Sequence, residues 1–383
     1  MPRFSEIEGL RAWLAWTVVL GHLVEVLHIT FLDADARAHV TGAAAVEVFV
    51  LISGFVITGL LLDREESWAR FIMRRAFRLY PVYLFALALG AIAVPAGLAA
   101  LGRAPWGQDQ GSFWYVALSG ETESLARWPW AHWLLHLSLL QGAIPNGILP
   151  WSSETLVAPA WSLSLEWQFY LLAPAIVSAV RKPRGAVIVA ALAFGLALLF
   201  QRGAFGDYES YTSLLGGLWL FLIGIASRLA LPAIKRMDLP PTPLAISAIG
   251  LGLVQPGAAP LGIWAALLIF MARDESKATA VSACARVVLQ SPLATALGAR
   301  SYSVYIIHVP IMLIILSLLP TETLTRAQTM LVLGPFTILC VLLLSELLYR
   351  LLERPMIRLG ARLTAGSAAV ETPLSGAAQS RPG

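Results

Sequence analysis

The sequence predicts an all-α polytopic membrane protein of about ten transmembrane helices, with the N- and C-termini both in the cytoplasm. Three observations lead there. Hydrophobic residues make up 58% of the 383 and charged residues 13%, where a soluble domain averages about 25% charged, and mean hydropathy is +0.73. Apolar runs of roughly 17–25 residues, enough to cross a bilayer, recur along the chain. Lys and Arg are also spread unevenly over alternate connecting segments, so the positive charges report an orientation.

The expected spans run from Leu10 to Leu27, Ala43 to Leu62, Val82 to Leu101, Trp161 to Val180, Ala186 to Phe200, Leu214 to Leu231, Pro243 to Val254, Leu261 to Met271, Tyr302 to Leu319 and Ala327 to Leu348. The seventh and eighth are short and bounded or broken by Pro and Gly. Between the third and fourth lies a polar, Trp-rich stretch, Gly102 to Ala160. Within it, Ala131–Ile144 is expected to form an interfacial or re-entrant helix on the outer side. Trp114, Trp128, Trp130, Trp133, Trp151 and Trp161 cluster there, chiefly as an aromatic belt. Residues 1–363 read as one transmembrane domain and residues 364–383, rich in Ala, Gly, Ser and Pro, as a disordered cytoplasmic tail. Glu6, Glu8 and Arg11 precede the first apolar run, so that segment is expected to be a retained span rather than a cleaved signal peptide.

With the N-terminus inside, 22 of the 27 basic residues fall on the cytoplasmic side, leaving Arg37, Arg103, Arg127, Arg202 and Arg326 outside. This distribution makes the net charge of +4 a topology signal beside anionic lipid and removes a nucleic-acid partner. The localisation it implies is multi-pass in the cell inner (plasma) membrane. The two cysteines, Cys284 and Cys340, have neither disulfide-framework nor metal spacing. His132 and His136, at i and i+4, lack a third ligand, and no metal is expected.

The first span reads EGLRAWLAWTVVLGHL from Glu8 to Leu23. Arg11 and His22 are 11 positions apart, about three helical turns, which puts both on one face roughly 16 Å apart. Ionisable groups inside a membrane cost several kcal/mol and are generally kept for a purpose. Neutral imidazole can take a proton from a hydroxyl, so His22 is a candidate general base. After the second span, Arg70, Arg74, Arg75 and Arg78 recur at helical spacing before Pro81. They read either as a juxtamembrane anchor or as a clamp for a phosphate-bearing cofactor entering from the cytoplasm, with Arg75 and Arg78 sharing a face. Glu166 sits in an apolar helix among Ser162, Ser164, Gln168 and Tyr170. It reads as a structural partner of a basic residue such as Arg11, or as a group that handles a proton or orients substrate. His308, beside Tyr302, Tyr305 and Pro310, is either hydrogen-bonded structure or part of the chemistry. Glu47 precedes a second span whose Ser53 and Gly54 permit close helix approach.

Together these motifs resemble the membrane-bound acyltransferase family 3, the ten-span bacterial O-acyltransferases. The resemblance is carried by Glu8-Gly9-Leu10-Arg11 with His22, by the VFVLISGFVIT span, and by Phe71 through Arg75 and Arg78 to Pro81 and Tyr83. Trp161 through Glu166 to Tyr170, Ser301-Tyr302-Ser303 with His308, and Glu353-Arg354-Pro355 complete it. It implies transfer of an acyl group, most often acetyl, from cytoplasmic acyl-CoA as co-substrate to a hydroxyl of a carbohydrate or related acceptor. Arg75 and Arg78, with Arg74 beside them, would hold the CoA phosphates. His22 would be general base or transient acyl carrier, Arg11 would stabilise phosphate or the thioester oxyanion, and Glu166 would orient a histidine or relay a proton. The competing reading is a transporter of an acyl or glycan intermediate with Arg11, His22 and Glu166 as a proton relay. A scaffold within a polysaccharide-export complex is the third.

Overall fold

The computed structural model describes residues 4–27, 42–64, 66–108, 113–208, 210–237, 244, 246–248, 250, 256–273 and 279–365. Among these every regular element is a helix, and there is no strand. In order they are α1 (Ser5–Val26), α2 (Gly42–Asp63), α3 (Trp68–Arg103), α4 (Phe113–Arg127), α5 (Pro129–Ser138), a 3₁₀ turn (Gln141–Ala143), α6 (Ala160–Val180), α7 (Pro183–Gln201) and α8 (Leu214–Ile234). Then come α9 (Ala259–Ala272), α10 (Ala280–Gln290), α11 (Pro292–Gly298), α12 (Ser301–Leu318), α13 (Arg326–Leu348), a π-helical turn (Tyr349–Glu353) and α14 (Arg354–Ala365).

Seven helical stretches among the described residues are long and apolar enough to cross a membrane: α2, α3, α6, α7, α8, α11 with α12, and α13 through α14. The chain is therefore an all-α polytopic membrane protein. Of the other expected spans, α1 has the length, about 33 Å, but carries Glu8, Arg11 and Glu25. The eighth expected span appears as α9, only 14 residues. The seventh, Pro243 to Val254, lies mostly outside the described residues.

Several boundaries differ from the sequence reading. The arginine segment and the third span are one 36-residue helix, α3, started by Ser67, whose hydroxyl accepts the Arg70 N–H. At 1.5 Å per residue α3 is about 54 Å long, so its first turns stand beyond the hydrocarbon. The helix expected over Ala131–Ile144 is divided: α5 ends at Ser138 and Leu139 turns left-handed at φ 56°. α4, in the Trp-rich stretch, follows no long apolar run and was not anticipated. At the C-terminal side, Thr364 and Ala365, expected in the tail, complete α14, and the rest of that tail lies outside the described residues.

The core centres on α12, in which every residue from Ser301 to Leu313 is buried. α7 is the opposite case, with Ala193 alone among its residues buried, leaving a face suited to lipid. Small residues set the tightest packing. A Cβ on Gly54 would stand 2.3 Å from the Phe221 carbonyl oxygen, and one on Gly224 would stand 2.2 Å from that of Leu51. α2 and α8 thus approach through glycines on both sides, as the position of Gly54 suggested.

Contacts sort the helix ends into two groups. Gly298 packs on the Glu8 backbone and Gly360 on Phe77, which gathers the starts of α1 and α3 with α11 and α14. At the other end Thr321 donates to the Ala100 carbonyl at 2.8 Å and Trp106 to that of Leu324 at 2.9 Å. The arginine-rich ends lie together, apart from the Trp-rich connections, as the charge bias requires.

Candidate active site

Toward the Trp-rich end, α1 and α12 bring His22 and His308 together. His22 Nδ1 lies 2.7 Å from His308 Nε2, with the rings stacked at 5.0 Å between centroids. The tautomers follow from the backbone. His308 Nδ1 is 2.6 Å from the Tyr305 carbonyl oxygen, which can only accept, so Nδ1 carries the proton. In a neutral pair His308 Nε2 is then an acceptor, and His22 must donate to it from Nδ1. His22 Nε2 is left with its lone pair. It faces Glu25 at 4.0 Å, and Trp114 of α4 packs edge-on against the ring at 5.6 Å.

Toward the arginine-rich end a cavity of 280 Å³ opens between α1, α2, α3, α6 and α12. Arg11, Arg75, Arg78, Glu8 and Glu166 supply its charges. Arg75 and Arg78 come from successive turns of α3. The Arg75 guanidinium lies 5.9 Å and 6.0 Å from the centroids of the Phe71 and Tyr170 rings. Nε of Arg11 and Nε of Arg75 are buried, and neither has a hydrogen-bond partner among the described residues. Buried guanidinium donors without partners are rare in folded proteins, and an anion is the chemistry that satisfies them.

Glu166 meets neither histidine. Its carboxylate accepts from Ser53 at 2.7 Å and from the Tyr170 hydroxyl one turn along α6. The expectation that Glu166 orients a histidine is corrected here: the side chain that orients His22 is His308. No hydrogen bond links His22 to Arg11 or Glu166 among the described residues, so the three do not form a direct relay. Arg74 is also separated from Arg75 and Arg78; it pairs with Glu66 and does not line the cavity.

Helix direction connects the two regions. Phe49 on α2, Tyr305 on α12 and Ser162 on α6 are the cavity residues nearest the Trp-rich end of their helices. The Tyr305 hydroxyl is 2.8 Å from Ser162 Oγ, and Phe49 packs edge-on to its ring at 5.9 Å. The carbonyl of the same Tyr305 holds His308. One residue therefore closes the cavity with its side chain and sets the histidine tautomers with its backbone. The sequence reading named Tyr305 only as a neighbour of His308.

Glu353, read from the sequence only as part of the Glu353-Arg354-Pro355 motif, is held against α12. It is 3% exposed and accepts from Ser303 at 2.7 Å. On α6 the polar residues divide by periodicity. Glu166 and Tyr170 face the cavity, whereas Ser164 accepts the Gly142 N–H and Gln168 accepts the Leu214 N–H, tying the outer connections to α6. His132 and His136 are wholly buried under the outer connections. Ser124 donates to the Pro150 carbonyl and so accepts from His132 Nε2, at 2.9 Å. Burial holds the His136 imidazole down to about 3.

A family model for an acyltransferase domain matches residues 4–350. The chain is 29% identical over 324 residues to a putative membrane-bound transacylase, BcsY, of Komagataeibacter xylinus, covering 80% of this chain and 72% of that protein. It is 28% identical over 197 residues to nodulation protein 10 of Rhizobium leguminosarum bv. viciae, covering 49% of this chain and 48% of the relative. It is 29% identical over 192 residues to acyltransferase MdmB of Streptomyces mycarofaciens, covering 47% and 41%. The last two alignments span less than half of those relatives' own lengths. No solved structure matches the chain. A match over nearly the whole chain, on a helical membrane scaffold with a paired histidine and an arginine-lined cavity, makes this protein a member of acyltransferase family 3.

Proposed function

We propose that this membrane acyltransferase takes an acyl group, acetyl in the simplest case, from cytoplasmic acyl-CoA and transfers it to a hydroxyl of a carbohydrate or related acceptor on the far side of the inner membrane. The observation that carries the reading is the hydrogen-bonded series from the Tyr305 carbonyl through His308 to His22. It leaves His22 Nε2 as a base with a defined lone pair, at a depth three helical turns beyond Arg11.

The steps follow from that geometry. The donor enters from the arginine-rich end, and its anionic part is held by Arg11, Arg75 and Arg78. The acyl arm passes Phe49 and Tyr305 to reach the histidine pair. His22 Nε2 takes the acceptor hydroxyl proton as the oxygen bonds to the thioester carbonyl carbon. The carbon–sulfur bond then breaks, and the thiolate of CoA leaves and regains a proton. While His22 is an imidazolium, Glu25 at 4.0 Å is the carboxylate placed to stabilise it. The same lone pair is competent to carry the acyl group transiently as acyl-imidazole. Glu166, held by Ser53 and Tyr170, places its carboxyl group in the same cavity as the three guanidinium groups.

Mass spectrometry of surface glycans from cells with and without the gene tests this reading, looking for an ester-sized mass difference. Purified protein given radiolabelled acetyl-CoA is expected to release CoA and label the acceptor. Movement of label across the membrane without CoA release would favour a transporter instead.

A further inference from the structure

The sequence places Trp114 with the aromatic belt, but the fold sets it apart from the other tryptophans of the outer side. Trp128 and Trp130 are 47% and 86% exposed, as residues at an interface are, whereas Trp114 is 4% exposed. Its indole ring meets the His22 ring edge-on, with 5.6 Å between centroids. Its Nε1 is buried and has no hydrogen-bond partner among the described residues. A buried indole N–H normally finds an acceptor, because a desolvated donor left unpaired is costly. The protein therefore holds a donor in reserve beside its proposed base.

Acyl transfer needs a donor at that place. As a hydroxyl oxygen bonds to the thioester carbonyl carbon, negative charge develops on the carbonyl oxygen, and preorganised N–H groups are what stabilise it. Among the described residues three side chains of suitable chemistry pair with the His22 ring. His308 is committed on both nitrogens, donating to the Tyr305 carbonyl and accepting from His22. Glu25 carries the wrong charge. Of the three, Trp114 alone offers an N–H with nothing bound to it. Arg11, three turns away on α1, is roughly 16 Å from His22 along the axis, too far to reach the same oxygen. Trp114 also stands in the first turn of α4, and α4 packs on α1. The positive end of that helix thus lies beside His22 and adds to the field an anion would meet.

We infer that Trp114 is a catalytic residue whose Nε1–H donates to the thioester carbonyl oxygen as it becomes an oxyanion. The inference rests on the proposed transfer at His22, and it moves the oxyanion role expected of Arg11 to α4. The acceptor oxygen forms its bond to the carbonyl carbon while His22 Nε2 takes its proton. The carbonyl π electrons move onto the oxygen, which accepts the Trp114 N–H. They return as the carbon–sulfur bond breaks, and the departing thiolate recovers the proton from His22. The competing role is packing alone, with the indole ring holding His22 in place and its nitrogen idle.

Thiol release is followed on the purified full-length protein with acetyl-CoA as donor and methyl glucoside as acceptor. Position 114 is replaced by 3-benzothienylalanine, in which sulfur takes the place of the N–H and the ring shape is kept; Trp114→Phe is the second variant. Both are expected to lose about 10²–10³-fold in kcat, the scale of one oxyanion donor, with KM for acetyl-CoA held within about threefold. The melting temperature of the benzothienyl protein should match that of the wild type. A benzothienyl protein with kcat within about threefold of wild type overturns the inference whatever Trp114→Phe does, because the ring then acts by packing alone. A loss of kcat accompanied by a lowered melting temperature in that protein overturns it as well. His22→Ala separates the two levels. An inactive His22→Ala beside an active benzothienyl protein sinks the Trp114 role and leaves the His22 reading standing. A fully active His22→Ala, or a wild-type protein that releases no thiol, removes the proposed transfer itself and the role of Trp114 with it.

Discussion

His22 Nδ1 and His308 Nε2 are 2.7 Å apart although 286 positions separate them in the chain. Because Tyr305 fixes the proton on His308, the pair has a direction, and the basic nitrogen is at the His22 end. His22→Ala is expected to abolish CoA release, a loss of at least 10²–10⁴-fold for a general base. His308→Gln keeps an acceptor for His22 Nδ1 and should retain more activity than His308→Ala. Thiol-release assays on variants of equal expression check this order. Equal loss in both His308 variants would count against a positioning role.

Arg75 Nε is buried without a partner, whereas Arg74 is paired with Glu66. Arg75→Ala should raise KM for acyl-CoA by roughly 10–100-fold, the worth of a charge-assisted contact of about 1.5–3 kcal/mol, with a smaller change in kcat. Arg74→Ala should act through the carboxylate it exposes, and adding Glu66→Ala should restore much of the loss. Steady-state kinetics on the four-member mutant cycle measure that coupling.

Gly54 faces the α8 backbone, with a Cβ position 2.3 Å from Phe221 O. Gly54→Ala forces α2 and α8 apart and should destabilise the bundle by about 1–3 kcal/mol. A Cβ on Gly147 meets nothing within 4 Å, so Gly147→Ala should leave thermal unfolding in detergent unchanged. Similar melting temperatures for both variants would contradict the close helix contact.

Burial of His136 lowers its imidazole from 6.5 to about 3. The folded protein therefore excludes a proton that the unfolded chain binds. The stabilisation is complete above pH 6.5 and is lost as pH falls toward 3, at up to about 1.4 kcal/mol per pH unit. Melting scans between pH 7.5 and roughly 5 should show that slope, and His136→Phe should flatten it if the core accommodates the ring.

Much of this architecture is legible in the sequence because hydropathy and the positive-inside bias are local properties. A Leu-rich run of about 20 residues is a span whatever it later packs against. Legibility fell where a helix lacked such a run. α4 is held by packing, and α5 is cut short by the left-handed Leu139. For the site, the helical repeat put Arg11 and His22 on one face and Arg75 and Arg78 on adjacent turns. It could not say which helix stands opposite.

Residue identity alone therefore determined the membrane class, the sorting of charged ends and the list of costly ionisable groups in the spans. Tertiary structure alone decided that His22 pairs with His308, that Glu166 belongs to Ser53 and Tyr170, and that Glu66 takes Arg74 away from the cavity. The physical reason is periodicity: 3.6 residues per turn sets the direction in which a side chain leaves its own helix, and only the packing of helices distant in sequence supplies the group it meets.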